Sequence, residues 1–277
     1  MIEAFDLTKY YHQVVALEGL TLEVAAGEIF GLLGPNGAGK TTTIKILTTL
    51  TRPTRGWARI KGLDVVRQPL AVKKLIGVCP QEINLDKDLT AYENLWIYGR
   101  LYQIKGLKER IEEMLAFGDL ADRAHDLVKN FSGGMQRRLL IIRALLSSPE
   151  VLFLDEPTVG LDPQVRRQLW GLIEQLRLQG VTVVLTTHYI EEAERLSDRV
   201  GILNRGRLIA LDTPARLISR LPGYVVESSR NGRREYQLVA DKDEAHRQAQ
   251  AAQGGVTIRQ VNLEDVFIHL TGERLTS

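Results

Sequence analysis

This chain of 277 residues is long enough for one large domain with an appendage, and an apolar content of 44% excludes global disorder. Its 36 basic and 34 acidic residues leave a formal net charge of +2, which offers no electrostatic argument for nucleic acid as the main partner. A single cysteine, Cys79, excludes an intrachain disulfide and fits a reducing compartment.

Neither a signal peptide nor a membrane span is predicted. The N-terminal residues 1–13 are polar and lack an apolar h-region. The most apolar stretch, residues 139–154, is broken by Arg143, Pro149 and Glu150. We therefore expect a soluble protein that cannot move a substrate through a membrane by itself.

The first predicted elements are two strands, a helix and two further strands. The second strand runs into a glycine-rich loop, and the helix follows that loop and ends at the turn cluster TRPTRG. In chain order these elements are TLEV (21–24), EIFGLLG (28–34), TTTIKILTTL (41–50), WARIKG (57–62) and KLIGVCPQ (74–81).

A helical insert is predicted after these strands. Between Leu89 and Asn130 apolar residues recur at helical spacing, as in Leu95 and Tyr98, and little of this segment resembles a strand. We place the insert at about residues 82–150.

The next elements alternate again between strands and helices. Two of them are apolar runs bounded by turn residues, as expected of buried parallel strands. The elements are the strands VLFLDEP (151–157) and VTVVLTTH (181–188), the helices at 164–180 and 189–198, and a hairpin with a tight NRG turn at 199–214. This alternation predicts an α/β domain at residues 1–221, with a parallel sheet that is covered on both faces.

A small α+β appendage is predicted at residues 222–277. The Asn-Gly pair in RNGR (230–233) is a strong hairpin signal between the strands YVVESS and REYQLVA. A helix, a strand and a short amphipathic helix follow, namely DEAHRQAQAA (243–252), VTIRQVN (256–262) and LEDVFIHLTG (263–272).

The segment GPNGAGKT (34–41) fits the pattern G-x-x-x-x-G-K-[ST] between a predicted strand and a predicted helix. Gly37 and Gly39 allow backbone N–H groups to wrap phosphates. Lys40 reaches the β- and γ-oxygens, and the Thr41 hydroxyl serves Mg²⁺. A glycine turn that only caps a helix is the alternative. The predicted ATP contacts here are Gly34, Pro35, Asn36, Gly37, Ala38, Gly39, Lys40, Thr41 and Thr42.

Two adjacent carboxylates end the strand VLFLDEP. Because side chains alternate along a strand, Asp155 and Glu156 are expected to point in different directions, Asp155 towards the water shell of the metal ion and Glu156 towards an attacking water. An acidic pair that opens a turn before Pro157 is the alternative.

His188 ends another strand. A lone histidine there is usually structural, but beside a phosphate-binding loop it could donate a hydrogen bond to the γ-phosphate.

A second anion site is predicted at SGGMQ (132–136). Ser132 is a natural N-cap for the amphipathic helix that follows, and the glycines expose backbone N–H groups at the positive end of its dipole. A glycine-capped helix without a ligand is the alternative.

The order of these motifs resembles the ATP-binding subunits of ABC transporters over residues 1 to about 220. The motifs are the phosphate-binding loop, Gln81, SGGMQ, LDEP, LDP and TTH. The resemblance implies an α/β fold of the P-loop NTPase, ABC ATPase type, with bound ATP and Mg²⁺. It also implies an ATP-dependent homodimer, in which the SGGMQ signature of one subunit closes over ATP held by the loop of the other.

The resemblance also implies roles for individual residues. Tyr11 would stack on the adenine, unless it is an ordinary strand-end aromatic. Asp162 lies in the segment that crosses the dimer interface and is counted with the nucleotide-binding residues. The implied catalytic residues are Glu156, His188 and Gln81, the metal ligands are Thr41, Gln81 and Asp155, and the signature residues are Ser132, Gly133, Gly134 and Gln136.

Two positions depart from the pattern of this family. Phe131 stands before the signature, where the family often has leucine, although a bulky aromatic is also seen there. Leu140 stands in the next helix where the family often has glutamate. We expect Leu140 to bury that helix more deeply without affecting hydrolysis.

Several segments resemble the type-2 exporters of the drug-resistance and sodium-export kind, and the tail VNLEDVFIHLTG matches that group as well. The group implies a separate membrane permease, with this chain in the cytoplasm and held peripherally at the inner face of the cell membrane. Tyr92, Trp96 and Tyr102 form an aromatic row that is a candidate for receiving a cytoplasmic helix of the permease. Packing within the helical insert is an equal alternative for each of them.

Three classes of function compete. The first is an ATPase that drives export through a partner. The second is a non-transport ABC ATPase that acts on a nucleic-acid or ribosomal partner, for which two ATP domains in one chain, a long coiled-coil insertion or a basic surface are typical. The third is a regulatory module for which ATP is only a ligand, and Glu156 and His188 argue against it. The sequence favours ATP hydrolysis coupled to export, without a nucleic-acid partner.

Overall fold

The computed structural model describes residues 1–230, 233–251 and 255–272, and the predicted Asn-Gly turn at 231–232 lies outside the described residues. The strands are β1 (Ile2–Tyr11), β2 (Val14–Val24), β3 (Ile29–Leu33), β4 (Arg55–Ile60), β5 (Leu63–Asp64), β6 (Ile76–Cys79), β7 (Val151–Asp155), β8 (Thr182–Thr187), β9 (Arg199–Asn204), β10 (Arg207–Asp212), β11 (Tyr224–Arg230), β12 (Arg233–Val239) and β13 (Val256–Gln260). The helices are α1 (Lys40–Leu47), α2 (Pro69–Leu75), α3 (Ala91–Leu101), α4 (Leu107–Phe117), α5 (Gly133–Leu145), α6 (Pro163–Leu178), α7 (Ile190–Leu196), α8 (Pro214–Ile218), α9 (Lys242–Ala251) and α10 (Leu263–Thr271). Within these residues no helix is both long enough and apolar enough to cross a membrane.

Six strands form the central sheet in the order β10-β9-β3-β8-β7-β6. Neighbouring strands from β9 to β6 run parallel, and β10 pairs antiparallel with β9 at the edge. The predicted parallel sheet is therefore confirmed. Because the carboxyl ends of parallel strands meet at one edge of a sheet, the segments that follow β3, β8, β7 and β6 are neighbours in space.

Alternate side chains of the central strands enter two hydrophobic clusters, one on each face of the sheet. On one face, Leu152 and Leu154 pack with apolar residues of α5 and α6. On the other face, Val151 and Phe153 pack with α1 and with the N-terminal strands. Burial on both faces explains why β7 is an unbroken apolar run in the sequence.

A second, antiparallel sheet covers the α1 side in the order β2-β1-β4-β5. Strands β1 and β5 and helix α2 are not predicted from the sequence. Register shifts in β1 between Ala4 and Leu7 interrupt the simple alternation of side chains. Helix α2 has seven residues with only Val72 buried, so it offers no helical period to detect.

Helices α3, α4 and α5 lie between β6 and β7, where the helical insert is predicted. Helix α3 begins with a capping box, in which the Thr90 side chain accepts from the Glu93 backbone and the Glu93 side chain accepts from the Thr90 backbone. Leu95, Ile111 and Met114 join the cluster that also covers the central sheet. The insert therefore shares its core with the sheet.

The predicted hairpin at residues 199–214 is confirmed by the pairing of β9 with β10. Its two-residue loop consists of Arg205 with φ 48° and Gly206 with φ 80°. Two consecutive left-handed residues are the geometry of a type I′ turn, whose twist matches that of antiparallel strands.

The C-terminal strands form a small antiparallel sheet in the order β12-β11-β13, which packs against α9. Helix α10 belongs to the same predicted appendage but packs on α7 and α8 of the larger domain. Leu263, Val266 and Phe267 of α10 are buried in one cluster with Leu33 and Ala193. The appendage is thus attached to the helix that follows His188.

Candidate nucleotide site

Four polar segments meet at the carboxyl edge of the central sheet. The phosphate-binding loop follows β3, His188 follows β8, Glu156 follows β7 and Gln81 lies just after β6. Glu156 lies at their centre, because its carboxylate oxygens are 3.1 Å from Lys40 Nζ, 3.3 Å from His188 Nδ1 and 3.4 Å from Gln81 Nε2. The sheet order thus brings together side chains that are far apart in the sequence.

The glycines of the loop are required by its backbone path. Gly39 precedes α1 with φ 107°, and a Cβ there would lie 2.6 Å from the Ala16 carbonyl oxygen. A Cβ on Gly34 would lie 2.3 Å from the Leu203 carbonyl oxygen. The loop is therefore packed too tightly for side chains at these positions, and it leads directly into the N-terminus of α1, where backbone N–H groups attract anions.

Lys40 is buried at the start of α1, with 4% of its surface exposed. Its ammonium donates hydrogen bonds to the carbonyl oxygens of Gly34 at 2.8 Å and Pro35 at 3.1 Å. It also forms an ion pair with Glu156 at 3.1 Å. The positive charge is thus held inside the loop, where it can exchange its partners for phosphate oxygens.

Glu156 has an unusual backbone for a residue with a side chain, since its φ is 48°. Its N–H donates to the Thr186 hydroxyl at 3.0 Å and to the Thr186 carbonyl at 3.1 Å. These bonds hold the left-handed turn at the end of β7. The turn directs the Glu156 carboxylate towards Lys40 and His188, in a direction different from that of Asp155, as the alternation predicted.

Asp155 faces the first turn of α1. Its Oδ1 atom accepts hydrogen bonds from the hydroxyls of Thr41 at 3.2 Å and Thr186 at 2.6 Å. A hydroxyl beside a carboxylate, next to a phosphate-binding loop, is a set of hard oxygen donors, which is the kind that Mg²⁺ prefers. The predicted metal ligands Thr41 and Asp155 therefore fit this ion. Gln81 is near Glu156 on the same side of the site.

A cavity of about 440 Å³ opens beside the loop. Its lining includes all three of the polar side chains Lys40, Gln81 and Glu156, together with loop residues and the segment 14–16 of β2. A volume of this size accommodates a nucleotide-sized ligand. Residues 14–16 are not among the predicted site residues, because apolar side chains of a strand give no signal of ligand contact.

The predicted signature lies outside this cavity. Ser132 caps α5, because its hydroxyl accepts from the Met135 N–H at 3.3 Å, and Ser132 and Gly133 are both exposed. Gly134 allows α5 to approach α6, since a Cβ there would lie 2.3 Å from a methyl group of Val165. The predicted N-cap is confirmed, and the exposed N-terminus of α5 is open to a ligand brought by another molecule.

Gln136 and Asp162 have contacts within their own segments, whereas Tyr11 lies outside the cavity lining. Gln136 donates from Nε2 to the Phe131 carbonyl at 3.0 Å. Asp162 caps α6 by accepting from the N–H groups of residues 164 and 165 at 3.1 and 3.0 Å. Tyr11 ends β1 with 40% of its surface exposed and does not line the cavity. Its stacking on adenine stays a prediction.

The two departures from the family pattern are explained by packing. Phe131 is 6% exposed and Leu140 is completely buried, and both belong to the core cluster below the helical insert. Leu140 therefore packs its helix into the core, and the absence of an effect on hydrolysis stays a prediction.

Glu192, a completely buried carboxylate on α7, is not among the predicted site residues. Its Oε1 atom accepts from the Thr158 hydroxyl at 2.8 Å and from Trp170 Nε1 at 3.0 Å. Burial raises the pKa of Glu192. The only signal in the sequence was its spacing, because Glu192 shares one helix face with Ala193 and Leu196. Glu192 ties the segment after Glu156 to the helix after His188.

With this geometry in place, a model of the ABC transporter family matches residues 17–159, which include the phosphate-binding loop, the signature and both carboxylates. The chain belongs to the ABC transporter family. This cassette is also 39% identical to the daunorubicin resistance ATP-binding protein DrrA3 of Streptomyces coeruleorubidus, over 96% of this chain and 94% of that protein. It is 38% identical to the Nod factor export ATP-binding protein I of Paraburkholderia xenovorans (strain LB400), over 99% and 98% of the two chains.

A solved structure is similar to the cassette in fold. It is a dimeric ATP-binding cassette in a post-hydrolysis state, bound to ADP and Pi, with a TM-score of 0.70 and 29% identity over 77% of this chain and 98% of that one. The predictions of an ABC ATPase fold, of ATP hydrolysis and of an ATP-binding subunit of the exporter kind are confirmed by these similarities. The relatives favour transport over the alternative of a nucleic-acid or ribosomal partner.

Proposed function

We propose that the cassette hydrolyses ATP with the groups around Glu156 of one copy and the signature of a second copy, and that hydrolysis powers export through a separate membrane permease. The observation that carries the proposal is the separation of two phosphate-binding elements on one chain. Lys40 and Glu156 line one cavity, whereas the capped N-terminus at Ser132 is exposed elsewhere. Each element is half of an active site.

Nucleotide binding changes the partners of Lys40. The Lys40 ammonium is held by Glu156 at 3.1 Å and by two loop carbonyls. Phosphate oxygens compete for the same ammonium, and a triphosphate carries more negative charge than a single carboxylate or a carbonyl. Binding therefore releases Glu156 from its ion pair, so that ATP itself frees the carboxylate that acts next.

Glu156 then serves as the general base for the attacking water, and Gln81, whose Nε2 atom lies 3.4 Å from the Glu156 carboxylate, orients that water. His188 contacts the same carboxylate oxygen as Gln81, with Nδ1 3.3 Å from Oε2. In this position the imidazole donates a hydrogen bond to the γ-phosphate and stabilises the charge that develops on it. The left-handed turn at Glu156 keeps the base at the end of the buried strand.

Mg²⁺ is the metal that these residues fit. The Thr41 hydroxyl, the Asp155 carboxylate and the Gln81 side chain would hold this ion. When bound, the ion neutralises charge on the β- and γ-phosphates. Thr186 orients Asp155 through its hydrogen bond of 2.6 Å.

The second copy contributes Ser132 and the N–H groups of α5. A helix N-terminus stabilises an anion, and the exposed glycine at position 133 lets the backbone approach it. Helix α5 has thirteen residues, so its dipole is well developed. Two identical chains related by a two-fold axis then form two such sites, which makes the active species a homodimer.

The permease docks on the aromatic surface of α3. The predicted row is split into two stacked pairs, Tyr92 with Trp96 at 6.1 Å and Tyr98 with Tyr102 at 4.5 Å. Tyr92 packs against the core, whereas Trp96 and Tyr102 are 39% and 49% exposed. Trp96 and Tyr102 therefore offer exposed apolar surface to a cytoplasmic helix of the permease. With this contact the cassette would be bound at the inner face of the cell membrane.

A mixing experiment tests the shared site. Ser132→Arg and Lys40→Ala each inactivate both sites of a homodimer. A mixed dimer has one intact site, formed by Lys40 of the first variant and Ser132 of the second. We expect two inactive preparations to recover ATPase activity when they are mixed and allowed to exchange subunits.

The matched control is a mixture of Lys40→Ala with Glu156→Gln. Both of these residues belong to the same half of the site, so every site in the mixed dimer stays broken and activity must not return. Recovery in the control mixture, or full activity of Ser132→Arg alone, contradicts the shared site. Continued inactivity of the first mixture, with mixed dimers shown by cross-linking, contradicts it as well.

A further inference from the structure

Arg137 is a buried arginine on α5, five residues after Ser132, and only 4% of its surface is exposed. One terminal nitrogen donates to the Pro80 carbonyl oxygen at 2.8 Å. The other donates to the Gln81 carbonyl oxygen at 2.9 Å. Both arms of the guanidinium therefore hold the short segment that carries the Gln81 side chain.

The charge of Arg137 makes this contact strong. A buried cation is costly unless it is compensated, and in the described part of the chain the hydrogen-bond partners of this guanidinium are backbone carbonyls. The nearby Cys79 does not compensate it as a thiolate, since burial raises the pKa of that thiol to about 11. The carbonyl oxygens of Pro80 and Gln81 compensate the charge of Arg137 by accepting two charge-assisted hydrogen bonds. Only a planar guanidinium, with its two terminal nitrogens, can donate both bonds at once.

A second arginine attaches the same segment to the same helix. Arg143 donates to the Asn84 carbonyl at 3.1 Å and also contacts the Asn84 side chain. Its guanidinium lies 5.3 Å from the centre of the Tyr98 ring on α3. Residues 80–84 are thus fixed to α5 at two points, six residues apart on the helix. A movement of α5 moves the Gln81 segment with it.

We propose that Arg137 is a positioning residue, which fixes Gln81 relative to the nucleotide and links Gln81 to the signature at the start of the same helix. The proposal rests on the proposed function of Gln81. Its consequence is a connection between two sites, because Gln81 serves the ATP of its own chain whereas Ser132 serves the ATP of the partner copy. One rigid helix then carries a residue for each site.

A double-mutant cycle on the full chain tests this. The variants are Arg137→Gln, Gln81→Ala and the double variant, and kcat is expressed per chain that binds ATP. Since a displacement of about 1 Å costs up to about 10²-fold in rate, we expect Arg137→Gln to lower kcat about tenfold with KM nearly unchanged. In the Gln81→Ala background the same substitution has almost no further effect, because the group it positions is already gone.

The matched control is Arg138→Gln, the neighbouring position on the same helix. Arg138 donates to the Gly118 carbonyl at 3.3 Å and to Asp119 at 3.0 Å, just after α4, and neither contact involves residues 80–81. The variant Arg138→Gln therefore also loses an arginine that donates to a backbone carbonyl, but this arginine has no link to residues 80–81. We expect its kcat to stay close to that of the unmodified chain in both backgrounds.

Each outcome decides the proposal. An equal loss of kcat from Arg137→Gln in both backgrounds shows a structural role only and overturns it. If Gln81→Ala leaves kcat unchanged, the proposed function of Gln81 is wrong, and the positioning role of Arg137 is wrong as well. The single variant Gln81→Ala therefore distinguishes a failure of the proposed function from a failure of the positioning role alone. If Arg137→Gln does not fold, Arg137→Lys replaces it. This variant keeps the charge but loses the fork, and the proposal requires its loss of kcat to depend on Gln81 in the same way.

Discussion

Glu156 and Asp265 are both almost completely buried, but their surroundings differ. Glu156, at the nucleotide site, is 5% exposed. Its contacts are long, at 3.1 Å from Lys40, 3.3 Å from His188 and 3.4 Å from Gln81. The Nδ1 atom of His188 is within ion-pair distance but is not aligned for a hydrogen bond. Polar groups thus surround the Glu156 carboxylate, but its oxygens can still accept further hydrogen bonds.

Asp265 on α10 is completely buried and is saturated. It accepts from the Tyr236 hydroxyl at 2.6 Å, from Arg259 at 2.6 and 2.8 Å and from the Asn262 N–H at 2.8 Å. Burial acts to raise the pKa of Asp265, but the hydrogen bonds from Arg259 and Tyr236 outweigh it and hold this pKa below its ordinary value. Arg259 also pairs with Glu227 at 3.0 Å.

The difference distinguishes a carboxylate that is suited to catalysis from one that stabilises the fold. A carboxylate whose oxygens already accept short hydrogen bonds has little capacity left for a water or a proton. Long contacts that tighten only when a ligand arrives are typical of catalytic groups. The contrast supports the proposed role of Glu156 in the reaction, whereas Asp265 attaches α10 to the small C-terminal sheet through Arg259 and Tyr236. Substitutions at the two positions should separate activity from stability.

The largest effect is expected for Glu156→Gln. The amide keeps the shape of the side chain but cannot accept the proton of water, so steady-state phosphate release should fall by about 10²–10⁴-fold. ATP affinity should be retained or increased, because Lys40 is no longer held by a carboxylate. An ATP titration and a phosphate-release assay measure the two quantities. Turnover at the rate of the unmodified chain removes Glu156 from the mechanism.

A large effect on stability, but not on the chemistry, is expected for Asp265→Ala. The substitution leaves Arg259 and Tyr236 without their main partner, and breaking a buried pair costs about 3–5 kcal/mol. We expect the lower end of this range, since Glu227 still pairs with Arg259. Urea denaturation measures the loss, and kcat per ATP-binding chain should be unchanged. A fall in kcat without a loss of stability means that α10 acts on the nucleotide site.

The smallest effect is expected for Tyr236→Phe. It removes one of the donors to Asp265 and leaves those from Arg259 and Asn262 in place. Because a hydrogen bond to a charged group contributes about 1.5–3 kcal/mol, the free energy of unfolding should fall by no more than this amount. A loss as large as that of Asp265→Ala in the same denaturation assay contradicts the view that several donors share the carboxylate.

Much of the nucleotide site could be predicted from the sequence, because its residues occur in short motifs at the ends of buried strands. The glycines at positions 34 and 39 indicate a loop without room for a Cβ, and the structure shows close carbonyl oxygens at both. Ser132 was recognisable as an N-cap from its local sequence alone. Local patterns of this kind depend on the backbone of one segment.

Contacts between distant segments could not be predicted in this way. Arg137 was one charged residue in an amphipathic helix, and nothing nearby in the sequence indicates that it holds Gln81. The network of Asp265 joins residues from β12, β13 and α10. The β1 strand was missed for a different reason, because its register shifts hide the alternation on which strand prediction depends.

The central claim is that one chain supplies the phosphate loop and a second chain supplies the signature. Sedimentation of the Glu156→Gln variant with ATP tests it most directly, because hydrolysis cannot then disperse the complex. We expect a dimer with ATP and a monomer without it. Adding Ser132→Arg should return the protein to a monomer while ATP binding in a titration stays intact. A dimer that persists in the double variant, or a Glu156→Gln protein that binds ATP and stays monomeric, contradicts the claim.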